Sequence, residues 1–160
     1  MAEEYCFDSS SIIQAWVRTY PPENFPGFWS RFEKAIDGGL IVSPEDVRQE
    51  LNHPDKLKVW AHTQDGMFRE LDKEVQHSLR DVVRYIKNRL KEQSLRFMPK
   101  DLKADPIVVA LARITRRTVV VEETRHGRQG RPKIPDLCDE FDVRCINVVE
   151  FIQKQNWQFW

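Results

Sequence analysis

Short apolar runs alternate with helical patterns along this chain, and that alternation restricts its fold more than any other feature. The runs are Tyr5-Cys6-Phe7, Leu40-Ile41-Val42, Thr118 to Val121 and Val143 to Ile146. Each is too short for a buried helix and carries mostly β-branched or aromatic residues, so each reads as a strand covered on both faces. Between them, apolar residues recur at helical spacing: Ile12, Ile13, Trp16 and Val17; then Phe28, Trp29, Phe32 and Ile36; then Val75, Leu79, Val82, Val83, Ile86 and Leu90. Strands joined by helical crossovers pair in parallel. The expected fold is therefore α/β, with three layers: a short parallel sheet of about four strands flanked by helices, as one domain over residues 1–160.

Local signals set the element ends. A helix is expected from Ser9 to Val17, stopped by Tyr20-Pro21-Pro22, and Gly38-Gly39 closes the next one. Ser43-Pro44-Glu45-Asp46 reads as a helix start, with Ser43 as cap and Asp46 at the capping-box position. The middle of the chain reads as helical throughout. Asp105-Pro106 opens an apolar helix from Ile107 to Ile114, residues 124–133 form a Gly- and Arg-rich loop, and a short helix spans Asp136 to Phe141. Asn147 and Glu150 form a capping pair for a last helix to about Gln153.

Composition narrows the function classes. Of 160 residues, 41% are hydrophobic and 31% charged, with a formal net charge of +0. No global field draws the chain to nucleic acid, so such binding needs a local patch. Cys6, Cys138 and Cys145 are too scattered for a disulfide framework or a zinc site, and free thiols fit the cytoplasm. The acidic start, Met1-Ala2-Glu3-Glu4, does not resemble a signal peptide, and no run approaches the ~20 apolar residues of a membrane span.

Four carboxylates fall where an open α/β sheet binds its ligand, beyond the carboxyl ends of the strands. Asp8 follows the first strand, Glu50 ends the helix after the second, Asp105 heads the helix before the Thr118 strand, and Glu123 follows that strand. Oxygen-only ligands suit Mg²⁺ or Mn²⁺, which can activate water against a phosphodiester. Each acid also has a local explanation. Asp8 and Asp105 can cap helices, Glu50 can be solvated, and Glu122-Glu123 can be an ordinary strand exit.

The strings YCFDSSSII, SPEDVRQEL, ADPIVVALA and TVVVEE resemble the four acidic motifs of PIN domains, Mg²⁺-dependent nucleases that include toxins of bacterial toxin–antitoxin pairs. FPGFWSRFEKAIDGGLIVSPEDVRQEL and KIPDLCDEFDVRCINVVEFI resemble a PIN-like bacterial family of unknown function, DUF4411. The likeness spans roughly residues 4 to 153. It implies that Asp8, Glu50, Asp105 and Glu123 bind metal and that Ser10 supports Asp8. Asp136, in KIPD, is shared with the closer relatives without an assigned role. The chain departs from the PIN pattern at Glu123, where Asp is typical, and in its longer helical middle.

An RNA substrate needs phosphate contacts. Arg113, Arg116 and Arg117 precede the Thr118 strand, and Arg125, Arg128, Arg131 and Lys133 follow it with His126. The alternative is a soluble, flexible loop. Trp157, Phe159 and Trp160 either pack back on the domain or mark an interface that a second copy or an antitoxin covers. The expected activity is a metal-dependent endoribonuclease of PIN type, with a non-cutting RNA- or protein-binding module as the alternative. A phosphoacceptor domain fits poorly, because Asp8 is followed by serines and Val143 to Asn147 lacks a lysine.

Overall fold

Strand β1 (Tyr5–Phe7) runs through the middle of the sheet, and its side chains divide between two helical layers. In the computed structural model, which describes residues 2–98, 104–124 and 130–159, Tyr5 and Phe7 meet the Phe151 ring edge-on at centroid distances of 4.9 and 5.0 Å. Phe7 also meets Phe32 at 5.0 Å. Cys6 points the other way, its Sγ 3.8 Å from the Val108 carbonyl oxygen. The period-2 alternation of a strand thus supplies both faces of the core from three residues.

Beside β1 lie β2 (Ile41–Pro44) and β4 (Thr118–Val120), with β3 (Phe68–Arg69) and β5 (Cys145–Ile146) outside them. The order is β3-β2-β1-β4-β5 and every pairing is parallel. Among the described residues the sheet therefore has five strands, not about four. The extra one is β3, in the stretch that reads as helical; two residues at a sheet edge are too few to carry a period.

One layer of helices contains α2 (Pro26–Asp37) and α8 (Val148–Gln155), which bring Phe32 and Phe151 to the sheet. The opposite layer is centred on α6 (Ala104–Thr115), in contact with β1, β2 and β4. Residues Ile107 to Ala112 of α6 are all buried, as a helix apolar on every side requires. Helix α5 (Lys73–Glu92) covers α6 from outside and is capped by Asp72, whose Oδ1 accepts from Val75 N at 2.9 Å. Helices α3 (Glu45–Glu50), α4 (Asp55–Thr63) and α7 (Ile134–Glu140) are the others among the described residues.

Two local expectations change. The first helix, α1 (Ser9–Gln14), passes at Ala15–Thr19 into a wider π turn. The extra residue per turn rotates the apolar face. Trp16 lands against Trp29 and Trp60, at 4.8 and 5.7 Å, while Val17, expected inward, is 51% exposed. Ser43 does not cap α3. It belongs to β2, and its buried hydroxyl donates to the Phe7 carbonyl at 2.6 Å.

The aromatic tail packs back where it is described. Trp157 lies 5.2 Å from Phe151 and 5.9 Å from Phe28, and Phe159 lies under the Arg31 guanidinium at 5.2 Å. Trp160 lies outside the described residues. Among the described residues no helix is long and apolar enough to cross a membrane.

At the amino edge of the sheet Arg117 acts as a brace. Its Nη1 stands 3.1, 3.2 and 3.4 Å from the carbonyl oxygens of Gly39, Leu40 and Tyr5, and its Nη2 stands 3.6 Å from Glu4. One side chain therefore ties the start of β4 to β1 and to the turn before β2. Arg117→Ala takes this donor from the Gly39 carbonyl, while Leu40 O keeps its bond from Tyr5 N, so urea denaturation should show a loss of roughly 2 kcal/mol. An unchanged midpoint would remove the brace from the account.

Candidate metal centre

Asp8 stands at the carboxyl end of β1, where the chain leaves for β2 on one side and β4 pairs on the other. Its backbone N–H still bonds to the Val120 carbonyl, at 3.0 Å. Its side chain is 1% exposed, and the two carboxylate oxygens differ. Oδ2 caps α1, accepting from Ser10 N at 3.2 Å and from Ser10 Oγ at 2.6 Å. Oδ1 is buried with no hydrogen-bond partner. Capping thus explains one oxygen and leaves the other. A buried acceptor without a donor is costly unless something else supplies positive charge. Burial raises the Asp8 pKa to about 6 despite the two Ser10 bonds, with the charges of Glu123 and Glu50 adding to the rise.

The other three acids surround it. Asp105 lies in the first turn of α6, inside the helix rather than at its cap. Burial, then the charges of Asp8, Glu123 and Glu50, raises its pKa to about 7, partly offset by Lys133. Asp8 and Asp105 are thus each within electrostatic reach of the other three acids, which come from separate parts of the chain. Glu50 ends α3 and accepts from Ser9 Oγ at 2.9 Å. Glu123 reaches the start of α7, where its Oε2 accepts from Ile134 N at 3.4 Å. Among the described residues no three of these side chains are close enough to form a ready metal-binding group. Mutual repulsion explains the spread: Glu50 and Glu123 take hydrogen bonds on the rim, and Asp8 and Asp105 have raised pKa values.

The donor set fits a hard divalent cation. It is oxygen-only, it has an orphaned buried carboxylate oxygen at its centre, and Mg²⁺ or Mn²⁺ needs only a few carboxylates beside water. Asp8, Glu50, Asp105 and Glu123 would hold it.

The serines after Asp8 do more than the sequence suggests. Ser10 Oγ donates to Asp8 and accepts from Glu122 N at 3.1 Å, linking β1 to the exit of β4. Ser9, unremarked in the sequence, holds Glu50; its signal is one hydroxyl for each of two acids in the triple Ser9-Ser10-Ser11. Glu122 Oε1 accepts from Val148 N at 2.9 Å and so fixes the start of α8. Asp136 Oδ2 accepts from Lys133 N at 2.9 Å, fixing the start of α7.

The expected phosphate contacts divide. Lys133 is near Asp105, and Arg131 donates to the Arg96 carbonyl at 2.7 Å. Arg125, His126 and Arg128 lie outside the described residues. Arg116 and Arg117 are not brought to the acids: they precede β4, whereas Glu123 follows it. Three residues of strand, about 10 Å, separate the two edges, and Arg117 is engaged as a brace.

Residues 5–159 match the family DUF4411, described as a domain of unknown function. The chain belongs to that family. No curated protein matches this DUF4411 member. Among solved structures it is similar to VapBC2 from Rickettsia felis bound to a DNA fragment from their promoter, at 12% identity and a TM-score of 0.47, covering 89% of this chain and 97% of the other.

Proposed function

We propose that this DUF4411 protein is a PIN-type endoribonuclease that uses Mg²⁺ or Mn²⁺ held by Asp8, Glu50, Asp105 and Glu123. The observation that carries the reading is Asp8, buried at the carboxyl edge with one oxygen unpartnered and three further acids around it. The PIN-like motifs support the same assignment. When bound, the cation supplies the charge that polarises water and offsets negative charge on a phosphodiester.

This chain's own residues do the positioning. Ser10 orients Asp8 through two hydrogen bonds, leaving its second oxygen for the ion. Ser9 sets the direction of Glu50. Asp105 is ionised at neutral pH when positive charge compensates its neighbours. Lys133, near Asp105, would meet a phosphate oxygen of the RNA. In this reading the protein is the toxin of a toxin–antitoxin pair, and a small antitoxin is its partner.

Calorimetric titration with Mn²⁺, beside cleavage of a single-stranded RNA, tests the proposal. Wild type should bind Mn²⁺ and cut RNA, and Asp105→Asn and Glu123→Gln should weaken both. A wild-type protein that binds RNA but neither binds Mn²⁺ nor cuts would be a non-cutting RNA-binding module instead.

A further inference from the structure

At the opposite edge of the sheet, the C-terminal ends of α6 and α7 and the starts of β4 and β5 enclose a cleft of about 320 Å³. Arg113, Arg116, Arg117 and Arg144 line it, with Asp142 as the acid among its described lining residues. Two of these arginines are already oriented. Arg113 donates to Asp81 at 3.0 Å and lies 5.0 Å over the Phe141 ring. Arg117 is nine-tenths buried, and its Nε has no hydrogen-bond partner. A buried guanidinium N–H without an acceptor is rare and costly. It mirrors the orphaned oxygen of Asp8 at the other edge, with the sign reversed.

The other two arginines have charge to spare. Arg144 is 81% exposed and meets Glu3 only at 3.9 Å. Glu3 is committed elsewhere, accepting from Thr118 Oγ1 at 2.6 Å and lying 3.1 Å from Lys154. Arg116 is exposed and ends α6 at φ 55°, in the left-handed region. Glycine fills that position at least cost; an arginine there puts a planar donor fork at the rim. Forked donors around a small polar cleft match the oxygens of a phosphate group.

We propose that this cleft binds a phosphate group. Free phosphate and the phosphodiester backbone of RNA share that chemistry. The site is independent of the cation centre, from which the length of the sheet separates it.

Binding measured in EDTA by calorimetry tests the proposal with three probes: inorganic phosphate, a nucleoside 5′-monophosphate and an eight-nucleotide single-stranded RNA. Arg116→Ala and Arg144→Ala should each weaken the bound probe by about tenfold. Asp142→Asn, which the left-handed backbone at φ 54° tolerates, should tighten it by about threefold. Asp8→Asn should leave it unchanged. If RNA alone binds, each lost arginine should also lower the salt slope by about 0.7; if all three probes bind alike, the ligand is a free phosphate. The proposal is overturned if no probe binds, if the two arginine variants bind like wild type, or if Asp8→Asn abolishes binding.

Discussion

Asp8→Asn will leave a folded protein that no longer binds Mn²⁺ and cuts RNA roughly a hundred- to a thousandfold more slowly. The amide keeps the shape of the carboxylate, and its oxygen can accept both Ser10 bonds, at 3.2 and 2.6 Å in the wild type. What it removes is the charge on the oxygen that has no partner. Without metal that charge is a burden, which is why burial raises the Asp8 pKa to about 6. In EDTA at pH 7.5 the variant should therefore unfold at the same urea concentration as wild type, or a higher one. Lower activity with unchanged Mn²⁺ affinity would assign Asp8 a role other than holding the ion. Lower stability would make it a structural cap alone.

The metal-free protein will also lose stability as pH rises, by up to roughly 6 kcal/mol between pH 4 and pH 8. Asp8 and Asp105 have ordinary pKa values of 3.8 and folded values of about 6 and about 7. Between those limits the folded protein holds protons that the unfolded chain has released. Unfolding therefore becomes easier as pH increases through that window, and stability is greatest below it. Mn²⁺ should reverse the trend, because the ion competes with those protons and binds better once they are gone. Urea midpoints measured from pH 4 to pH 8, with EDTA and with Mn²⁺, give the two slopes. The double variant Asp8→Asn, Asp105→Asn should flatten the EDTA curve. An EDTA profile that is flat in the wild type would refute the electrostatic picture of the site.

The strands legible in the sequence are those whose residues are buried on both faces, because continuous apolarity survives without context. Tyr5-Cys6-Phe7 is the clearest case. Phe68–Arg69 was not legible, since its pairing with Ser43 and Pro44 is a tertiary fact. The same pairing explains Ser43. Its sequence neighbours, Pro44, Glu45 and Asp46, make a good helix start, but the nearest acceptor in space is the Phe7 carbonyl. The π turn at Ala15–Thr19 reflects the packing of Trp16 between Trp29 and Trp60, which no local pattern encodes.

The acids were legible by position, and the arginines only in part, for one reason. A strand end is an address in the sheet, so Asp8 and Glu123 could be located from chain direction alone. Arg116 and Arg117 are close to Glu123 in sequence, yet the intervening strand carries the chain from one edge to the other. Asp8 also shows that capping does not account for the whole side chain: Oδ2 accepts from Ser10 and Oδ1 has no hydrogen-bond partner.

The hydrogen bonds that Glu123 and Glu122 accept from Ile134 N and Val148 N have a consequence for timing. Both partners that settle the β4 exit are synthesised after all four acids. A nascent polypeptide stalled before Ile134 lacks the anchor for its fourth acid. The segment that carries Glu123 is therefore tied down only after α7 and α8 have been made.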